Sequence, residues 1–287
     1  MAAPSHKLPM NVLGVLLWPW RNYRRAAGRA VPETTISLEQ YERLAPRLSV
    51  FQGETEVVYA TPNVFTKWRV DSLFTKEPDT IEWIGGFAAG EIFVDVGANV
   101  GMYTIWAAKT RGVRTFAFEP ESQNYALLCR NIVANGLSET VVAYCLALSD
   151  SASYSLLHLS EFGLGGSCHT FGEKIDHQLE RRDTKLAQGC VSTTLDTLVE
   201  RGVLPVPNHI KIDVDGLEHK VLAGCAHVLA DRRLQSVLVE INTNLGLHRK
   251  IIADMLALGF HFSERQVAQA QRTEGAFKGV GNYVFKR

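Results

Sequence analysis

Two clusters of residues in this chain have types and spacings suited to chemistry. The first is Val94-Asp95-Val96-Gly97-Ala98-Asn99-Val100-Gly101, an apolar run that ends in a carboxylate and two glycines. Gly97 permits a tight turn with close backbone approach, and Gly101 lets a following helix pack near the strand. Asn99 stands where a dinucleotide-binding GxGxxG has its middle glycine, so the turn suits a pyrophosphate poorly. Asp95 points the same way: an anion beside the turn repels phosphate but attracts an amino group. S-adenosylmethionine carries an ammonium and a sulfonium and no phosphate, which makes it the better electrostatic match. The next strand ends in Glu119-Pro120, and an acid there can accept both ribose hydroxyl protons.

The second cluster is Asp213, Asp215, Glu218 and His219, at the end of a later strand. Methyl transfer is an in-line displacement with the acceptor oxygen about 3 Å from the methyl carbon. A hydroxyl must lose its proton as it attacks, so a positioned base contributes. Asp213 is expected to bridge cofactor and acceptor, with Glu218 or His219 as base. The alternative for Glu218-His219 is a charged first helical turn in which the carboxylate complements the dipole. Asp213, Glu240 and Asn242 also offer three oxygen ligands at neighbouring strand ends, a set that could hold a divalent metal such as Mg²⁺. Carboxylates at strand ends equally serve without a metal.

These residues need a scaffold, and the sequence supplies one. Segments 91–98, 114–120, 140–148, 209–216 and 236–242 read as buried strands; 102–109, 124–136, 217–230 and 248–259 read as helices between them. FHFSER and GNYVFKR read as two closing strands, and 151–160 as an added antiparallel strand. A helix over the stretch after Asp79 precedes the first core strand and brings Lys76, Glu77 and Trp83 near the cofactor turn or merely supports it. The alternation predicts an α/β, doubly wound, mostly parallel seven-stranded sheet, whose ligands sit beyond the carboxyl ends of the strands. Residues 161–190 read as an irregular excursion; its Gly163–His169 part could cover the substrate as a lid. His158, His169 and His177 follow no recurring ligand spacing and read as loop histidines. Residues 1–60 read as an amino-terminal extension before a 61–287 domain.

Composition narrows the function. Thirty Lys+Arg balance thirty Asp+Glu, which argues against a protein that coats nucleic acid. The five cysteines form no CxxC pair and read as reduced thiols of a cytoplasmic protein. No apolar run approaches the ~20 residues of a membrane span. LPMNVLGVLLWPW at 8–20, followed by Arg21, Arg24 and Arg25, fits either peripheral contact with a membrane interface or docking on protein.

The blocks VDVGANVGMYT, AFEP, ALSD, TTLDTL and IKIDVDGLEHKVLAG together resemble the FkbM family of methyltransferases over about residues 75–242. The resemblance implies a Rossmann-like class I methyltransferase fold and S-adenosylmethionine-dependent O-methylation of a sugar, glycan or natural product. It also implies that Asp95, Gly97, Ala98, Asn99 and Gly101 surround the methionine moiety and Glu119 and Pro120 the ribose. Asn124 lies near the same end, and Leu148-Ser149 near the adenine. The family pattern has Glu where this chain has Asp215, which keeps the carboxylate but shortens its reach by one methylene. A nicotinamide-dependent oxidoreductase on a similar sheet would need the missing GxGxxG. A nucleic-acid methyltransferase would need an NPPY-like stretch where IDVDG stands. A cofactor-binding module without catalysis would keep the first cluster alone.

Overall fold

The computed structural model describes residues 37–287. Leu38–Arg43 form a short helix, and the compact unit that carries the site runs from Ala45 to Arg287. The apolar segment 8–20 lies outside the described residues.

The centre is one six-stranded sheet. Its strands are β3 (Ile92–Val96), β4 (Arg114–Phe118), β5 (Val141–Tyr144), β10 (His209–Ile212), β11 (Ser236–Asn242) and β12 (Val280–Lys286), in the order β12-β11-β10-β3-β4-β5. All neighbours are parallel except β11 with β12. Alternation along each strand feeds two cores. Val94, Val96, Ile210 and Ile212 pack on one face with the helices Leu195–Glu200 and Glu218–Ala223. Phe93, Ala117 and Leu238 pack on the other with Pro78–Gly85, Met102–Arg111 and Ser122–Ala134. This is the period-2 geometry of strands buried on both faces.

The α/β class and the mostly parallel sheet are as the sequence predicts, with differences in detail. The seventh strand, placed at FHFSER, is reduced to a single bridge between His261 and Lys286. Ser263 then caps the helix Glu264–Ala270, accepting from Gln266 N, so the chain turns away from the sheet edge. Segment 140–148 is two strands, because the chain bends at Cys145-Leu146 and Ala147-Leu148 (β6) joins a second sheet. That four-stranded sheet has the order β6-β9-β7-β8, with β7 Ser153–Leu159, β8 Thr170–Phe171 and β9 Leu186–Thr193. Helix 217–230 breaks at Gly224, where a Cβ would stand 2.1 Å from Ser149 O.

The hairpin of β1 (Arg47–Gln52) and β2 (Thr55–Ala60) corrects the boundary drawn at residue 61. Val57 and Tyr59 are fully buried in the core. Tyr59 Oη donates to Met102 O, and the Asn131 and Asn135 amides bond the β2 backbone. The hairpin therefore belongs to the compact unit.

Candidate active site

Strand order reverses at β3, which lies between β4 and β10, and a crevice opens beyond the strand ends there. Ile212 is in register with Val96, and Asp213 N donates to Val96 O at 3.1 Å, so the glycine turn and the acidic turn lie side by side. Gly97 is required by this contact. Its φ is +79°, and a Cβ would meet Asp213 O at 1.9 Å. Gly101, at φ +84°, admits Leu128 of the helix Ser122–Ala134 rather than its own strand, with a Cβ at 2.4 Å from Leu128 Cδ1.

A groove runs over both turns in three adjoining parts that share Gly97, Asn99 and Asp213. The first part, about 660 Å³, has apolar walls from Phe118, Leu146, Leu148 and Phe171, and is also lined by Glu119, Pro120, Asn124 and Ser149. A second part is lined by Asp95, Ala98, Tyr103, Lys76 and Lys211. The third is a wider mouth of about 1240 Å³, bordered by Phe65, Trp68, Arg69, Asp215, Glu240, Arg272 and Phe277. Of the cofactor residues named from sequence, all but Gly101 line the groove.

The fold ties each of these side chains differently. Asp95 is buried; its Oδ2 accepts from Thr104 Oγ1 at 2.5 Å, and Oδ1 has no partner among the described residues. Burial raises its carboxyl pKa, against the opposing charge of Lys211. Glu119 accepts from Glu121 N at 2.8 Å and from Asn99 N at 2.7 Å, which fixes both oxygens at the groove wall. Burial nonetheless pushes its pKa up to about 7. Asn99 and Asn124 hold the excursion: Asn99 Nδ2 and Asn124 Nδ2 both donate to Gly166 O, and Asn124 Oδ1 accepts from Gly165 N. Arg69 donates to Gly165 O as well. Segment 163–169 therefore lies across the groove, and Ser167 and His169 form part of its wall. Asp215, at φ +57°, completes the closure by accepting from Cys168 N at 2.7 Å. The shorter carboxylate here reaches the lid backbone.

Asp213 is common to all three parts of the groove. Lys211, itself buried, donates to Asp213 Oδ2 at 2.8 Å. Burial alone would raise the Asp213 pKa, but Lys211 and Lys76 outweigh it and hold the carboxyl at about 2. Glu218 and His219 are not on the groove wall. Glu218 is buried and braces the acidic turn, accepting from Val214 N at 2.9 Å and Gly216 N at 3.0 Å. His248 fastens the turn from behind, with Nδ1 accepting from Asn242 N and Nε2 donating to Gly216 O. His219 Nδ1 is buried without a partner among the described residues, and burial lowers its pKa. Glu218 thus stands at the head of the helix Glu218–Ala223 with its oxygens bonded to the backbone N–H groups of the turn before it.

Asn242 leaves the set proposed for a metal, since its Oδ1 accepts from Asn244 N and its Nδ2 donates to His177 O. The carboxylates that do converge are Asp213, Glu218 and Glu240, with one oxygen of each within 4.8 Å of the others. Each already has partners: Lys211 for Asp213, backbone N–H groups for Glu218, Arg272 at 3.2 Å for Glu240. Trp83 is core and donates to Ser236 Oγ, whereas Lys76 reaches the groove and pairs with buried Glu77 at 2.6 Å. Arg69 and Arg272 carried no motif of their own, and Tyr103 and Lys211, although inside the VDVGANVGMYT and IKIDVDGLEHKVLAG blocks, are recognisable as groove residues only once folded.

Residues 95–262 match the family described as the methyltransferase FkbM domain. Over 191 residues, 66% of this chain and 71% of the relative, the sequence is 28% identical to hexuronic acid methyltransferase AglP of Haloferax volcanii. It is also 28% identical over 192 residues to 31-O-demethyl-FK506 methyltransferase FkbM of Streptomyces tacrolimicus, covering 60% of this chain and 73% of that one. Among solved structures, precorrin-6y C5,15-methyltransferase of Geobacter metallireducens is similar at a TM-score of 0.42 and 13% identity, over 80% of this chain and 93% of that one.

Proposed function

The chain belongs to the FkbM methyltransferase family, and from that premise we propose that it is an S-adenosylmethionine-dependent O-methyltransferase acting on a hydroxyl of a sugar, glycan or related natural product. The observation that carries the cofactor is Asp95 Oδ1, a buried acceptor without a partner among the described residues, in a groove whose opposite end is apolar. A ligand with an ammonium at one end and an aromatic base at the other matches that polarity. Bound S-adenosylmethionine would supply an electrophilic methyl group on a cationic sulfur.

Asp95 would take the ammonium, Glu119 the ribose hydroxyls, and the Pro120, Leu148 and Ser149 wall the adenine. Segment 163–169, held by Asn99, Asn124 and Asp215, excludes water from the groove. Asp213 stays ionised and orients the acceptor hydroxyl by accepting its hydrogen bond. Glu240 is the group placed to receive the hydroxyl proton. It lines the mouth, and burial together with the charge of Asp213 makes it far more basic than Asp213. The acceptors named for the two relatives, a hexuronic acid and 31-O-demethyl-FK506, support a hydroxyl-bearing acceptor here.

Calorimetry with S-adenosylmethionine and with NAD, followed by labelled-methyl transfer to extracted glycans and metabolites, tests this reading. Binding of the methyl donor alone, with Asp213→Asn keeping that affinity but losing about 100-fold or more in transfer, is the expected result. NAD binding without donor binding would overturn it.

A further inference from the structure

Besides Asp95 Oδ1, one buried side-chain atom of the groove-lining residues has no partner among the described residues: Nε2 of His169. The sequence offers His169 only as a loop histidine, but the fold fixes its chemistry. Its Nδ1 accepts from Ser160 N at 3.1 Å. A ring nitrogen that accepts a backbone N–H carries no proton, so in the neutral ring the proton lies on Nε2. Burial lowers the pKa of the ring and so favours that neutral form. Ser160 Oγ, 3.3 Å from the same nitrogen, donates to Ser167 O and leaves the assignment unchanged. His169 therefore brings to the groove wall an N–H donor that the protein leaves unpaired, and a buried donor without a partner costs stability.

The backbone that presents the ring is pinned on both sides. Cys168, a non-glycine residue at φ +61°, stands in the left-handed region. Its N–H donates to Asp215 Oδ2 at 2.7 Å, and its carbonyl accepts from Arg182 Nη2 at 2.6 Å. Strain of this kind persists where surrounding contacts impose it, and it concentrates at ligand clamps. Two residues on, Phe171 lines the same part of the groove and pairs with Leu157, which lines it too. Thr170, between them, is buried and donates its hydroxyl to Glu173 O. His169 and Phe171 are thus alternate residues of one wall, to which the second sheet adds Leu148 and Leu157. Apolar walls with a single fixed, neutral donor suit a flat aromatic ring that carries acceptor nitrogens on its edge.

Resting on the S-adenosylmethionine reading, we propose that His169 is a cofactor-specificity residue whose Nε2–H donates to a ring nitrogen of the adenine. The segment that covers the groove then also reads the base, and Asp215 and Arg182 act on the cofactor through the turn that aims His169.

The test is calorimetry on the full chain with S-adenosylhomocysteine and its 1-deaza, 3-deaza and 7-deaza analogues, each of which replaces one ring nitrogen of the base by C–H. One analogue should bind at least about ten-fold more weakly than S-adenosylhomocysteine. His169→Phe and His169→Ala should each weaken S-adenosylhomocysteine by about that factor and abolish the difference between it and that analogue. Loss of the Ser160 N partner alone would weaken both ligands alike and keep the difference. Equal binding of all three analogues by the parent, a difference that persists in full in the variants, or loss of all binding in both variants would each overturn the inference and leave the methyltransferase reading standing. Failure of the parent to bind S-adenosylhomocysteine would sink that underlying reading first.

Discussion

A carboxylate's role in this site is decided by what its oxygens already hold. Glu240 and Glu218 sit within one cluster yet are built for different tasks. Glu240 lines the mouth with a single cationic partner, so its ionised form is free to accept a proton. Because its pKa is raised, the ionised fraction grows as pH climbs; kcat/KM should rise with pH and level off above the Glu240 pKa. Glu240→Gln should remove that limb and about 100-fold of the rate. A variant whose pH profile matches the parent's would exclude Glu240 as base. Glu218 instead accepts two buried N–H groups, so Glu218→Ala should cost about 2–4 kcal/mol in urea unfolding. Its pKa is pushed up to about 8 by burial, so the folded state holds a proton that the unfolded chain releases at ordinary carboxylate pH. That contribution is complete below the unfolded pKa and lost as pH rises through about 8, where the melting temperature should fall more steeply than in Glu218→Gln. Parallel curves would reject the account. The partners already held by Asp213, Glu218 and Glu240 also predict that transfer survives a chelator; activity restored only by Mg²⁺ would revive the metal set.

At the level of elements, the site depends on two backbone approaches. The glycine turn after β3 and the acidic turn after β10 touch through Gly97 and Asp213 O. Gly97→Ala adds a Cβ where there is no space, at a φ that disfavours it, and should destabilise by about 4 kcal/mol or more. A soluble, fully active Gly97→Ala protein would show that the turns do not meet this way. The lid rests on side-chain amides instead. Asn124→Ala should leave global stability within about 2 kcal/mol and speed amide exchange across 163–169 at least ten-fold. Unchanged exchange there would mean that other contacts hold the lid.

For the whole molecule, the compact unit is larger than the family core, because the β1–β2 hairpin closes one face of it. Tyr59 is fully buried and tied to Met102 O. Tyr59→Ala should therefore cost about 3–5 kcal/mol, lowering a single thermal transition, and a loss under about 1 kcal/mol would return the hairpin to an extension. No helix among the described residues is long and apolar enough to cross a membrane.

The alternation of apolar strands with helices, the glycine turn and the acid at the next strand tip were legible because local spacing alone specifies them. Strand periodicity and turn geometry act over a few residues, so Asp95, Gly97, Glu119 and Asp213 announced themselves in the chain. Short elements escaped: β6 and β9 are defined by partners distant in sequence, and the edge segment at FHFSER lost its strand to a serine-capped helix. Roles escaped more thoroughly than positions. Asn99, Asn124 and Asp215 bind the lid, Glu218 and His248 brace a turn, and Arg69, Lys211 and Arg272 set the charge of the groove. The lid contacts, the bond from His248 to Gly216 and the pairing of Arg272 with Glu240 join residues 32 to 96 positions apart, which only folding brings within the few ångströms at which hydrogen bonds act. Glu218 and Lys211 bond groups two to four positions away, but only the fold buries them.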